Sequence, residues 1–108
     1  MSKTRPRVSP RVAQALAKLG TDLRNARRRR RVPMADAADR ARISRSTLQK
    51  VERGDPGVSL GILASILFGY GLVERLESLV DARWDRAGVA QEDARLPRRI
   101  RRGAWPTD

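Results

Sequence analysis

The residues best suited to chemistry lie in one run, Ile43 to Gly54, which reads ISRSTLQKVERG. Arg45, Ser46, Gln49, Lys50 and Arg53 recur at helical spacing on one face, while Leu48 and Val51 fall on the other. A face of small polar and cationic side chains suits the major groove of duplex DNA, because it reaches base edges without the backbone being held off. Arginine pairs with guanine O6 and N7, glutamine pairs with adenine, and each good bidentate pair contributes roughly 1–3 kcal/mol of discrimination. Spacing alone leaves a second reading open, a solvated amphipathic helix without a ligand.

Such a face must be held by neighbouring elements, and the flanking sequence supplies them. Ser44 is a good N-cap for a helix from Arg45 to Arg53, and Gly54 is a stop. Just upstream, Met34 to Ala41 reads as a short alanine-rich helix, so two helices with about three residues between them form a helix-turn-helix pattern. A longer first helix opens at Ser9 and Pro10 and carries the apolar stripe Val12, Leu16, Leu19 and Leu23 into an arginine block, Arg27 to Arg31. Pro33 closes that helix and opens the next. Downstream, Ser59 caps a fourth helix with Leu60, Leu63, Ile66, Leu67 and Tyr70 on its apolar face, and Gly69 and Gly71 weaken its end. A fifth helix, Leu72 to about Arg83, lines up Leu72, Leu76, Leu79 and Val80. The expected fold is all-α: a disordered basic arm over residues 1–8, a compact five-helix domain over 9–83, and a flexible basic tail over 84–108.

Composition narrows the function. A chain of 108 residues has room for one core. Lys and Arg number 24 against 12 Asp and Glu, a net charge of +12, and the excess sits on the ends. Residues 1–31 carry +10, residues 32–82 carry −1, and residues 83–108 carry +3. Almost all of the basic residues are arginine, which suits phosphates and guanine edges, so a polyanion is the expected partner. With no Cys and no His, the chain has no disulfide, no Cys/His metal site and no catalysis by either residue. Asp36, Asp39 and Asp55 are scattered, no nucleophile and base are paired, and we expect neither enzyme activity nor a cofactor or metal. The longest apolar run, Ile62 to Phe68, falls far short of a membrane span, and MSKTRPRVSP has no apolar secretion core, so a cytoplasmic protein is expected.

The run ISRSTLQKVERG, with LGTDLRNAR before it and SLGILASILFGYGL after it, resembles the lambda-repressor-like, Xre-type helix-turn-helix family over Leu19 to about Asp81. The resemblance implies base reading by Arg45, Ser46, Gln49 and Lys50. It places backbone contacts at Ser44, Thr47 and Arg53, to which the outward run Arg28, Arg29, Arg30 and Arg31 is added as phosphate candidates. It also implies an ion pair between Arg27 and Glu52, which the helical wheel supports independently: at about 100° per residue Arg27 lies at the margin of the Val12 stripe. Two positions depart from the family pattern. Met34 stands where a DNA-contacting Gln is usual, and Arg42 stands at a turn position usually held by glycine, where a positive φ would cost of order 1 kcal/mol.

LFGYGLVERLESLVD followed by RLPRRIRRG is similar to one branch of that family, the HipB-type antitoxins. That likeness implies a homodimeric repressor of its own operon that also binds a HipA-like kinase toxin. Leu76, Leu79 and Val80 are then candidates for the dimer interface, weighed against a role in the monomer core, and Ile100 and Trp105 are candidates for the toxin contact. Two other readings stay in view: a stand-alone transcriptional regulator without a toxin, and a nonspecific basic nucleic-acid-binding protein.

Overall fold

The computed structural model describes residues 7–95, all helix and connecting turn. The helices are α1 (Pro10–Arg29), α2 (Met34–Ala41), α3 (Arg45–Glu52), α4 (Leu60–Gly69), α5 (Val73–Glu77) and α6 (Arg86–Arg95), with a 3-10 turn at Ala82–Trp84 between the last two. The chain divides into two units, residues 1–76 and 77–108. The predicted all-α architecture is the one observed, with six α-helices in place of five.

Three serines start three helices as their sequence positions suggest. The hydroxyls of Ser9, Ser44 and Ser59 accept from the backbone N–H of Val12, Thr47 and Ile62, each satisfying one donor that the first turn leaves orphaned. The ends follow one rule as well. At α1, the N–H of Arg31 donates to the carbonyl of Arg28 and that of Val32 to the carbonyl of Arg27, a Schellman closure, and the same pair of bonds recurs after α2, α3 and α4. The left-handed residue of the closure is glycine after α3 and α4, Gly54 at φ 80° and Gly71 at φ 73°. After α1 and α2 it is arginine, Arg31 at φ 55° and Arg42 at φ 59°. Helix 1 therefore ends four residues before Pro33, at its own closure, and Pro33 takes the N-cap position of α2. Arg42 adopts the positive φ and its strain.

The core of the first unit joins Leu23 and Ala26 of α1, Val32, the alanines Ala37, Ala38 and Ala41 of α2, Leu48 and Val51 of α3, and Ile66, Leu67 and Tyr70 from α4 and its cap. Small residues on α2 let α4 approach it closely. α1 and α3 approach closely too, because a Cβ on Gly20 would lie 2.6 Å from the carbonyl oxygen of Glu52. Just past the same end of α3, and one turn earlier on α1, a Cβ on Gly54 would lie 2.7 Å from the carbonyl of Leu16. Any side chain at either position would push the two backbones apart.

Three expectations are corrected. Val12 and Leu60, placed on buried faces by the periodicity, are exposed. The fifth helix is five residues long instead of about twelve: Asp81 accepts from the N–H of Arg83 and pairs with its Nε at 3.0 Å, so the aspartate caps a new turn instead of continuing the helix. Residues 86–95, expected to be part of a tail, form α6, whose first turn is held by Asp85 accepting from the N–H of Gly88. Its few apolar residues, Ala87, Val89, Ala90 and Ala94, form no distinct stripe against the polar ones, which is why periodicity gave no sign of it. The candidate toxin contacts Ile100 and Trp105 lie outside the described residues.

Candidate nucleic-acid interface

α3 is built to present one face and anchor the other. Leu48 is fully buried and Val51 nearly so, which turns Arg45, Ser46, Gln49 and Lys50 outward together; all four are exposed. The Ser44 hydroxyl is occupied locally, accepting from Thr47 N–H at 3.0 Å and donating to Thr47 Oγ1 at 2.8 Å. Ser44 therefore fixes the start of the helix, and Thr47 is half-buried beside it.

Behind this face lies the ion pair inferred from the sequence. Arg27 Nε donates to Glu52 Oε2 at 2.8 Å and Nη2 donates to Oε1 at 3.1 Å, a bidentate fork, while Nη1 donates to the carbonyl of Val32 at 3.2 Å. The side chains are 11% and 5% exposed. The hydrogen bonds it donates to Glu52 hold the guanidinium above its already high basicity, against the opposing effect of burial. The pair ties the C-terminal end of α3 to α1 and to the turn before α2, so it sets the angle at which α3 is presented.

The arginine block divides by role. Arg28, Arg29 and Arg31 are exposed, as a phosphate-contacting set requires. Arg30 behaves differently, and residue type gave no warning of it. Its Nη1 donates to the carbonyl of Ala26 at 3.0 Å and its Nη2 to the carbonyl of Tyr70 at 3.1 Å, with the guanidinium 5.4 Å from the centre of the Tyr70 ring. Arg30 thus clamps the end of α4 to the end of α1 through a cation–π contact and two carbonyls. The Tyr70 hydroxyl is buried without a hydrogen-bond partner among the described residues, and burial, then the nearby Glu52 carboxylate, raise its pKa above the ordinary value near 10.

A cleft of about 360 Å³ opens over the Arg27–Glu52 pair, rimmed by Arg24 and Arg28 from α1, Met34 from α2, and Gln49 and Arg53 from α3. Arg24 was not singled out in the sequence, yet it sits one turn after Gly20, the crossing point with α3, and one turn before Arg28. That i, i+4 row from Gly20 was the available signal. Arg24, Arg28 and Arg53 form no ion pair among the described residues. The cleft therefore offers three guanidiniums to an anion at the edge of the outward face of α3. Met34 supplies no donor, so the cation row on α1 stands beside the position where the family pattern has its glutamine.

An all-helical unit whose second and third helices meet at a tight turn, with a polar third helix turned outward, is a helix-turn-helix DNA-binding fold. A family model described as a helix-turn-helix domain matches residues 18–80, and the chain belongs to that family, of the Xre-like kind. No curated protein and no solved structure matches it. Among the described residues no helix is long and apolar enough to cross a membrane.

Proposed function

We propose that the protein is a sequence-specific double-stranded DNA-binding repressor that works as a homodimer, with Arg45, Ser46, Gln49 and Lys50 reading bases. One observation carries the reading: these side chains point outward together from a helix whose opposite side is fixed by Leu48, Val51 and the Arg27–Glu52 fork. Ser44, Thr47, Arg53, Arg28, Arg29 and Arg31 take the phosphate backbone. Thr47 and Ser44 do so from the first turn of α3, where the helix dipole favours an anion. A dimer presents two such helices about 34 Å apart and doubles the sequence read.

Within this reading the protein is the autoregulatory antitoxin of a toxin–antitoxin pair and neutralises a HipA-like kinase. Support comes from the likeness of LFGYGLVERLESLVD and the RLPRRIRRG tail to that branch. Leu79 and Val80 are exposed and open to contact with a partner, a role Leu76 does not share because it packs on the core. A regulator without a toxin is the second reading.

Fluorescence anisotropy with operator and random duplexes tests the DNA assignment. A specific reader gains on the order of 10³-fold or more over random sequence. Arg45→Ala reduces that ratio, whereas Arg29→Ala weakens all duplexes alike and lowers the salt slope by about one. Equal loss on both duplexes from both substitutions refutes the division of roles. Co-expression with the product of an adjacent kinase-like reading frame tests the antitoxin assignment: truncation after residue 83 abolishes co-purification if the tail holds the toxin.

A further inference from the structure

α4 is the one helix among those described that contains no charged residue, and the uncharged stretch extends from Pro56 to Val73, 18 residues in a chain that is 33% charged. A helix apolar on every side is normally covered on every side. Here one side packs into the core through Leu63, Ile66, Leu67 and Tyr70, and the other is bare. On that outer side Leu60 is 78% exposed and Phe68 is 73% exposed, with Ala64 between them. Beside this ridge runs a second row, Gly61, Ser65 and Gly69, all exposed.

The two glycines have no explanation inside the fold. Neither has a positive φ, a Cβ on Gly69 would meet nothing within 4 Å, and one on Gly61 would meet only the Ser59 hydroxyl at 3.9 Å. Both positions accept alanine sterically and would gain helix propensity from it. The space they leave is of use to a neighbour outside the fold.

We propose that this neighbour is a second copy of the chain, and that the outer face of α4, with Leu60 and Phe68 as knobs and Gly61 and Gly69 as the facing hollow, is the homodimer interface. Charge selects the occupant. Two copies at +12 each repel, and contact through α1 or α3 would set arginine against arginine, whereas α4 brings two uncharged surfaces together. Shape agrees with it. A ridge of i, i+4 residues next to a row of small ones is self-complementary under a two-fold axis, each copy's ridge lying in the other's hollow. The proposal rests on the dimeric reading above and gives that dimer a face distinct from Leu79 and Val80.

Sedimentation equilibrium of the full chain, with helicity followed by circular dichroism, is the test. The wild type is expected at twice its 12.1 kDa mass at micromolar concentration. Phe68→Glu should weaken association at least 100-fold with helicity unchanged. The pair Gly61→Ala and Gly69→Ala should weaken it about tenfold while leaving the monomer as stable as before or more so. Val80→Glu should have no effect. Added salt should tighten the dimer by screening the residual repulsion, the opposite of its effect on DNA binding. A dimer that survives Phe68→Glu, or is broken by Val80→Glu instead, overturns the α4 face while leaving the dimeric reading intact. A wild type that remains monomeric overturns both, and duplex binding measured on the same samples reports separately on the DNA-reading role.

Discussion

Removing Glu52 isolates the contribution of the fork behind the recognition helix. In Glu52→Ala, Arg27 keeps one acceptor, the Val32 carbonyl, and loses two charge-assisted bonds in a site where its side chain is 11% exposed. Breaking a buried pair from one side costs about 3–5 kcal/mol, because the remaining charge stays buried without its counter-ion. A unit of this size has a total stability of roughly 4–11 kcal/mol, so the loss is about a quarter of it or more. At about 4–8 °C per kcal/mol the melting temperature should fall by at least roughly 12 °C. Thermal melts followed by far-ultraviolet circular dichroism measure this directly. Glu52→Gln, which keeps the shape and one good acceptor, should lie between the two. The double substitution Arg27→Met with Glu52→Leu should recover most of the loss, since an apolar pair of similar volume leaves no buried charge. Salt should reduce these differences only modestly, because a partly buried pair at contact distance is screened less than an exposed one. A Glu52→Ala protein melting within about 4 °C of wild type would falsify the argument, since it would mean that Arg27 escapes to water at negligible cost.

Three further outcomes follow from particular residues. Tyr70→Phe should leave stability at neutral pH equal or higher, because the hydroxyl it removes has no partner among the described residues and the ring stays available to Arg30. Its pH dependence has a definite sign: the folded-state pKa of Tyr70 is raised, so the stability it contributes is complete below pH 10 and is lost as pH climbs above that, and Tyr70→Phe should flatten the decline seen in urea melts. Arg42→Gly should raise the melting temperature by a few degrees and Arg42→Val should lower it, since a left-handed turn at φ 59° favours glycine and resists β-branching; the reverse order would show that the turn is relaxed. Arg24→Gln should lower the slope of log affinity against log salt by about one on any duplex, and an unchanged slope would remove the cleft from the interface.

How legible these features were depended on whether a residue type has a single use. Ser9, Ser44 and Ser59 announced helix starts because a hydroxyl ahead of an apolar stripe has few other roles. The Arg27–Glu52 pair was implied by the resemblance to the helix-turn-helix family, and the wheel agreed with it by putting Arg27, unlike Arg28 and Arg29, at the edge of the buried stripe. Arg30 and Arg31 could not be separated from their neighbours in the same way. What distinguishes them is a closure geometry and a ring 40 positions downstream, and five consecutive arginines look identical until the chain turns. Arg42 fills a position where glycine would have been the signal. The sequence past Leu76 misled for a different reason: Leu79 and Val80 keep helical spacing with Leu72 and Leu76, but Asp81 and Asp85 favour capping, and local hydrogen bonds outweighed an apolar pattern that had nothing to bury against.

The close crossings at Gly20 and Gly54 pin the C-terminal end of α3 to α1 backbone against backbone, with Gly20 against the carbonyls of Val51 and Glu52 and Gly54 against the carbonyl of Leu16. A recognition helix pinned at that end, with Leu48 buried further along it, has little freedom to slide within the domain, so a poor match between protein and duplex falls largely on the duplex. DNA stiffness then becomes part of selection. Steps that bend or twist easily, pyrimidine–purine steps above all, gain an advantage at positions no side chain touches, and a binding site defined by base contacts alone will be too short.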